Sequence, residues 1–384
     1  MGLSDGKFTE EGINELRSKI GTELALPLIF NDSATKARIR AFVDGIGDVN
    51  PLFRDESYAK NTRYGRIVAP PSWIYSVATG AAFTSLRGVH GFHSADDLEF
   101  YRPILVGDTL TPRAILRDVK EKVGKFAGRM IMEYHEKTYH NQHKELVAKG
   151  TALVIRTERS SAREKKKYSA LTLPHPWTEE ELKAIEDEAL NEQIRGGNIR
   201  FWEDVEIHEN LSPLVVGPLG LTDEIAFCMG VGGPLKAHGA MLRLYRKSPA
   251  WGFRDSETHA LESLAAVHFN KNAARDAGLP YPYEVGVQRN CWFIQFLTDW
   301  MGDDGWLKRC YAEYRNFIYL SDAVWFRGEV TGKYIDNAGE HCVDIEATAL
   351  NQRSQNTTVA RATVILPSRE AQTFPVAKRL SNIE

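Results

Sequence analysis

Cysteine is scarce: four residues in 384 (Cys228, Cys291, Cys310, Cys342), none in C-x-x-C spacing. That scatter argues against a disulfide framework or a thiolate zinc site, and for reduced, buried thiols in a cytoplasmic protein. No apolar run approaches the roughly 20 residues that span a bilayer. The opening MGLSDGKFTEEG lacks a basic-then-apolar leader pattern, so neither membrane insertion nor secretion is expected. Neither sign of charge dominates: 48 Lys and Arg against 51 Asp and Glu leave −3, with no pull toward nucleic acid or anionic lipid. There is no G-x-S-x-G elbow and no P-loop, and GVGGPLKAHG is not set in the strand–turn–helix unit that binds a dinucleotide. No redox cofactor or metal is expected. His90 and His93 flank a glycine loop, GVHGFH, without a third ligand; they are candidates only for the mouth of a tunnel. His135, His140 and His143 read as exposed, and His259 falls in a long inserted loop.

What the chain does contain is a repeat. His268 to Gly286 reads HFNKNAARDAGLPYPYEVG, and Phe53 to Pro71 reads FRDESYAKNTRYGRIVAPP, with the same 18-residue interval. Further anchors follow in order at offsets of 210 to 215: Tyr314-Arg315 with Tyr101-Arg102, Asp322 with Asp108, and NQRSQNTTVARATVI with NQHKELVAKGTALVI. Upstream, TDEIAFCMGVGG (222–233) matches ARIRAFVDGIGD (37–48). Two homologous modules packed as a pseudo-dimer are expected.

Each module has an apolar helix that should be buried, PSWIYSVATGAAFTSLRG in the first and one within 282–302 in the second. In the first module four strand-like segments follow: LEFYRPI, GDTLTPRAILRDVKEKV, FAGRMIMEYHEKTYHN and ELVAKGTALVIRTER. The fold class is therefore α+β, a sheet wrapped on a helix, twice. The boundaries read 1–158 for the first module, 159–177 for a basic, Pro-bracketed linker, and 178–384 for the second, with Thr178 capping a polar helix. The second carries an insertion at 234–263.

With DVNPLF, DESYA, TRYG, IVAPP, YRP…GDTL and the NQ phrases in view, the chain resembles MaoC-like dehydratases and (R)-specific enoyl-CoA hydratases, with an N-terminal half like a FAS1 dehydratase region. The resemblance implies a double hotdog. It implies a carbon–oxygen lyase of fatty-acid metabolism that hydrates trans-2-enoyl-CoA or dehydrates 3-hydroxyacyl-CoA, with no cofactor, as a homo-oligomer, a dimer. Family spacing from a catalytic histidine to a catalytic glycine is met by His268 and Gly286.

Water addition needs a base, an acid for the α carbon, and donors for the thioester oxygen. His268 suits the base, and the Gly286 N–H, opening a helix, suits the oxygen. The first half has Phe53 and Pro71 there, without a titratable group or an N–H, so it is expected to hold the acyl chain with Phe53, Trp73 and Tyr75. The family's aspartate, five residues before the histidine, is replaced by Ser263. Glu262, Asp48 and Glu284 are equal candidates to complete the site. Asn50, Asn270, Tyr281, Tyr283 and Arg289 are candidate substrate contacts, Asn270 toward the loop or substrate and Arg289 toward a CoA phosphate or a buried acid. Two rivals remain: a hotdog thioesterase, which would release free CoA thiol, and a non-catalytic acyl-CoA-binding subunit.

Overall fold

The computed structural model describes residues 6–26, 29–78, 86, 89–124, 128–158, 171–232, 235, 237–247, 249 and 252–380. Its strands are β1 Glu23–Leu24, β2 Val68–Ala69, β3 His90–Phe100, β4 Ile104–Leu105, β5 Thr111–Gly124, β6 Gly128–His140, β7 Leu146–Thr157, β8 Leu214–Val216, β9 Gly252–Arg254, β10 Leu261–Ser263, β11 Trp306–Tyr314, β12 Val324–Ile335, β13 His341–Asn351 and β14 Asn356–Ile365. Ten of them form one antiparallel sheet in the order β1-β5-β6-β7-β3-β11-β14-β13-β12-β8. That order is a palindrome: each half runs outward from a central strand, and the halves meet where β3 pairs β11, Leu98 opposite Cys310. The chain is a double hotdog.

Alternation explains the strands. In β13 Val343, Ile345, Ala347 and Ala349 point inward, while Glu346, Thr348 and Leu350 face solvent. The second half's central helix, Gln288–Met301, is buried along all 14 residues, its polar ones included. In the first half a 3-10 turn, Pro71–Trp73, leads into helix Ile74–Val77. The remainder of the helix expected there, with Gly80, Ala81 and Ala82, lies outside the described residues. So does most of the expected linker, while helix Glu179–Leu190 starts with a capping box on Thr178.

The repeat is written in hydrogen bonds. Asp108 accepts from the Leu105 N–H and the Gln142 amide, and Asp322 from the Tyr319 N–H and the Gln352 amide. Asn141 folds its turn by accepting from His143 and Glu145 N–H groups; Asn351 does so with Arg353 and Gln355. Asp55 and Asn270 each cap a helix by accepting two N–H groups. Helices Lys36–Ile46 and Leu221–Gly230 cross by mutual close approach: a Cβ on Gly45 would stand 2.7 Å from the Ala226 carbonyl, and one on Gly230 2.5 Å from that of Ala41.

One expected loop is a strand. GVHGFH enters β3, which pairs with β7 from His90 onward. Its glycines read as turn signals, but at Gly91 the missing side chain makes room for Arg156 of β7, whose guanidinium a Cβ would meet at 2.4 Å. His135, expected exposed, is 1% exposed and bonds Glu133, itself tied to Arg156.

Candidate active site

The segment that carries His268 is a 3-10 turn, Leu264–His268, followed by helix Lys271–Asp276. His268 Nδ1 lies 2.8 Å from the Tyr283 carbonyl, which can only accept, so Nδ1 carries the proton and Nε2 the lone pair. The Tyr283 ring packs edge-on to the imidazole at 4.8 Å. Burial lowers the His268 pKa to about 4, against the raising effect of the Tyr283 carbonyl, so the ring is neutral at physiological pH.

Three residues beyond Tyr283 comes Gly286, just ahead of the central helix. The groups around it are bound: Glu224, wholly buried, accepts the Val285 N–H, and Gln288 donates its backbone N–H to the Val285 carbonyl. With its amide nitrogen turned toward Glu224, the Gln288 side chain adds donors at 3.1 and 3.2 Å. The Gly286 N–H has no acceptor among the described residues. Spacing gave no reason to single out Glu224, which acts on the neighbours of Gly286.

No carboxylate among the described residues bonds to His268. Asp48 is excluded as its partner. It lies beside Glu192 and Asp299, near the far end of the central helix; at 1.5 Å per residue Asp299 is about 16 Å from the helix start. Glu284 is consumed by an ion pair with Arg289 and by the Ile318 N–H at 2.9 Å. Arg289 is 2% exposed and also donates to the Asn316 and Thr357 carbonyls, so it does not reach a CoA phosphate. Glu262 sits half-buried in β10, its pKa raised by burial and by Asp255. Ser263 is buried.

The other expected contacts have local duties. Asn270 caps its helix and donates to Asp255 at 2.9 Å, pinning the insertion onto the His268 segment. Asn50 caps the turn Pro51–Phe53. Tyr281 lies under the Lys271 ammonium at 5.1 Å. Trp73 is fully buried in the core. His259 is exposed. Phe53, Trp73 and Tyr75 belong to one buried apolar cluster. Phe53 lines a narrow cavity of about 50 Å³ with Pro71, Phe100, Leu307 and Met301. Met301 ends the helix that Gly286 begins, about 20 Å away along its axis.

Sequence reasoning missed the cluster beside Gly286. A Cβ at Gly286 would stand 3.4 Å from His93 Cβ and 3.9 Å from Tyr314 Cδ2. His93 Nε2 lies 2.7 Å from Asp96 Oδ2, and the Tyr314 hydroxyl donates to the same oxygen at 2.6 Å. Burial opposes the charge of Asp96, but the His93 imidazole and the Tyr314 and Tyr75 hydroxyls outweigh it and hold its pKa below the usual value. Asn290 donates to the Tyr75 hydroxyl at 2.6 Å. Residues i and i+3 of a regular strand point to opposite faces; a bulge between His93 and Ala95 puts His93 and Asp96 on one side. No alternation rule applied to HSAD reveals that.

A family profile described as "FAS1-like, dehydratase domain region" matches residues 21–150. A UPF0336 protein of Thermobifida fusca is 29% identical over 155 residues, covering 38% of this chain and 96% of its own length. A UPF0336 protein of Parafrankia sp. is 30% identical over 127 residues, 31% of this chain and 81% of that one. A protein named probable enoyl-CoA hydratase alpha subunit, of Thermomonospora curvata, is 26% identical over 160 residues, 36% of this chain and 50% of its own. Among solved structures, one described as a MaoC-like dehydratase aligns over 91% of this chain and 99% of its own, TM-score 0.64 at 16% identity. A double hotdog protein of Mycobacterium tuberculosis aligns over 95% and 96%, TM-score 0.53 at 11% identity. No helix among the described residues is long and apolar enough to cross a membrane. The chain belongs to the UPF0336 family; its fold is a double hotdog, and its first half matches a FAS1-like dehydratase region.

Proposed function

We propose that the protein is a hydro-lyase that reversibly adds water to trans-2-enoyl thioesters, acyl-CoA in the first instance. Residues 178–384 carry the base and the oxyanion donor, and residues 1–158 close the site from the other side. One observation carries this reading: a neutral imidazole is fixed by the carbonyl of Tyr283 on the loop that ends at Gly286, and among the described residues neither its Nε2 nor the Gly286 N–H has a partner. Nε2 of His268 takes the proton of the water that attacks the β carbon. The electron pair of the double bond moves toward the thioester oxygen, where the Gly286 N–H at a helix start meets the developing charge. The bare α carbon of Gly286 admits the thioester.

The test is His268→Ala, assayed by hydration of crotonyl-CoA and longer enoyl-CoAs. The expected loss in kcat/KM is about 10²–10⁴-fold; full activity in the variant, or a wild-type protein inert across the panel, rejects the reading. The pH profile adds a second check. His268 must be unprotonated to act and its pKa is about 4, so kcat/KM should fall on the acid side near pH 4 rather than near 6.5.

A further inference from the structure

Base and oxyanion donor do not complete a hydration. The α carbon must receive a proton, and the residue at the family's aspartate position, Ser263, cannot hold one for transfer near neutral pH. Glu284 is locked to Arg289, and Glu224 is sealed against the Val285 and Gln288 groups. What stands open beside Gly286 is His93, its side chain 21% exposed. Its Nε2 is committed to the carboxylate of Asp96, which leaves Nδ1 without a partner among the described residues. The ring is stacked on Tyr314 at 5.7 Å. A run of edge-on aromatic contacts, Phe92 to Phe317 to Tyr283 to His268, ties this end of β3 to the first imidazole.

The pseudo-symmetry of the sheet sharpens the point. The bulge at His93–Ala95 in β3 has its twin at Leu307–Arg309 in β11, opposite equivalent residues of β7 and β14. His93 therefore corresponds to Leu307, Asp96 to Cys310, and Tyr314 to Phe100. The sequence match of Tyr314 to Tyr101 is one residue out of step with the strands. Phe100, Leu307, Phe53 and Pro71 meet in the narrow apolar cavity of the other end. Where His268 and Gly286 gave way to Phe53 and Pro71, the places of His93, Asp96 and Tyr314 are apolar as well.

We propose that His93, held by Asp96 and Tyr314, is the acid that protonates the α carbon, so that each half of the chain supplies one imidazole to a single site. This rests on the hydration reading above. In the forward direction His268 takes one proton from water as its oxygen bonds to the β carbon. The π pair passes to the α carbon and thioester oxygen, and His93 delivers a proton from Nδ1 to the α carbon. His268 then returns its proton to solvent and His93 regains one, so that one water is added and nothing else is consumed. Asp96 and Tyr314 are positioning residues: the carboxylate holds the ring through its contact with Nε2, and the Tyr314 hydroxyl donates to the same carboxylate oxygen.

The test uses the full chain and the enoyl-CoA that the wild type hydrates best, with a second readout, exchange of the α protons of butyryl-CoA in deuterium oxide. Butyryl-CoA is saturated and has no double bond to hydrate, so its exchange calls on His93 and Gly286 but not on His268. His93→Gln should lose about 100-fold in hydration kcat with KM little changed, and lose exchange equally. His268→Ala should lose hydration but keep exchange. Tyr314→Phe, the residue of its counterpart position, is the milder variant should His93→Gln fail to fold, and is expected to slow exchange about tenfold. Imidazole added to His93→Ala should restore exchange, which a purely structural role does not allow. Wild-type hydration by His93→Gln, or its undiminished exchange, overturns the proposal while leaving the His268 reading in place. A wild type that hydrates no enoyl-CoA overturns both.

Discussion

The two halves share a frame and differ in lining. The Asp–Gln clasps, the Asn turns, the helix caps and the glycine crossing occur twice, in equivalent places and with equivalent partners. Around the start of the two central helices the likeness stops. One end has His268, Gly286, His93, Asp96 and Tyr314; the other has Phe53, Pro71, Leu307, Cys310 and Phe100. Beneath the polar end lies a buried ion pair, Glu284–Arg289, whose counterparts in the first half are Ala69 and Ile74. A fold that tolerates an apolar version of every one of these residues does not need the polar versions for its stability. Their burial costs free energy, and the natural return on that cost is chemistry.

The ion pair gives the largest break in the comparison. Replacing Arg289 by Ile alone strands the Glu284 carboxylate among apolar neighbours, and should destabilise the fold by about 3–5 kcal/mol. The double change Glu284→Ala with Arg289→Ile writes the first half's solution into the second, and should cost much less than the single one. Chemical denaturation of the three proteins measures this. Equal losses for single and double variants would mean that the pair is more than a locally balanced charge. Because Arg289 is walled in by the Asn316 and Thr357 carbonyls, none of these changes should act as the loss of a CoA phosphate contact would, by weakening CoA affinity in a folded protein.

The next break is at Gly286. Proline occupies the matching position of the first half without disturbing the chain, so Gly286→Pro should fold while removing the N–H proposed to hold the thioester oxygen. A loss of about 10²–10³-fold in kcat is expected. Gly286→Ala keeps the N–H, and its Cβ would meet His93 Cβ at 3.4 Å, an ordinary contact, so the deficit should be smaller and lie more in KM. Parallel steady-state kinetics decide; if alanine is as damaging as proline, crowding rather than the missing donor is the cause.

How much of this was legible in the residues follows from what kind of fact each was. The double hotdog was readable because the repeat is written as short phrases, and the structure shows why: the Asn and Gln of NQ and the Asp of GD make the hydrogen bonds that close each module. The pairing of an imidazole with a bare amide that we propose as the site was suggested by an 18-residue interval within one segment. The partners of that pair were not. Asp48, Glu262 and Glu284 looked equivalent in sequence because distance along the chain says nothing about which end of a helix a loop meets. His93 and Asp96 were hidden for two reasons: their glycines read as a loop, and a single bulged residue reverses which face the histidine takes. Of the alternatives left open for Asn270, loop or substrate, and for Arg289, CoA phosphate or buried acid, the structure shows the loop and the acid. Both had nearer partners in their own module, and a buried polar side chain satisfies itself locally first.

The smallest break concerns the one exchange that runs the other way. At five residues before the histidine position the first half keeps Asp48, and the second has Ser263. Asp48 is 1% exposed, its carboxylate accepts the Asn50 N–H, and it lies beside Glu192 and Asp299. Burial, with repulsion from Glu192, raises its pKa from 3.8 to about 7, and burial with the same neighbours raises that of Asp299. A carboxyl whose folded pKa exceeds its unfolded value keeps its proton longer in the folded state. Its contribution to stability is full below pH 3.8 and drains away as pH rises through about 7. The wild type should therefore grow less stable between pH 5 and pH 8, and Asp48→Asn, which has no charge to bury, should lose less over that interval. A gain in unfolding midpoint on the order of 2 °C at pH 8, smaller at pH 5, is the expected difference. Thermal unfolding at the two pH values measures it. Hydration by the Asn variant should match the wild type, because Asp48 stands at the end of the helix remote from Gly286; a large loss of activity would bring that aspartate back into the reaction and undo the division between a catalytic and an apolar end.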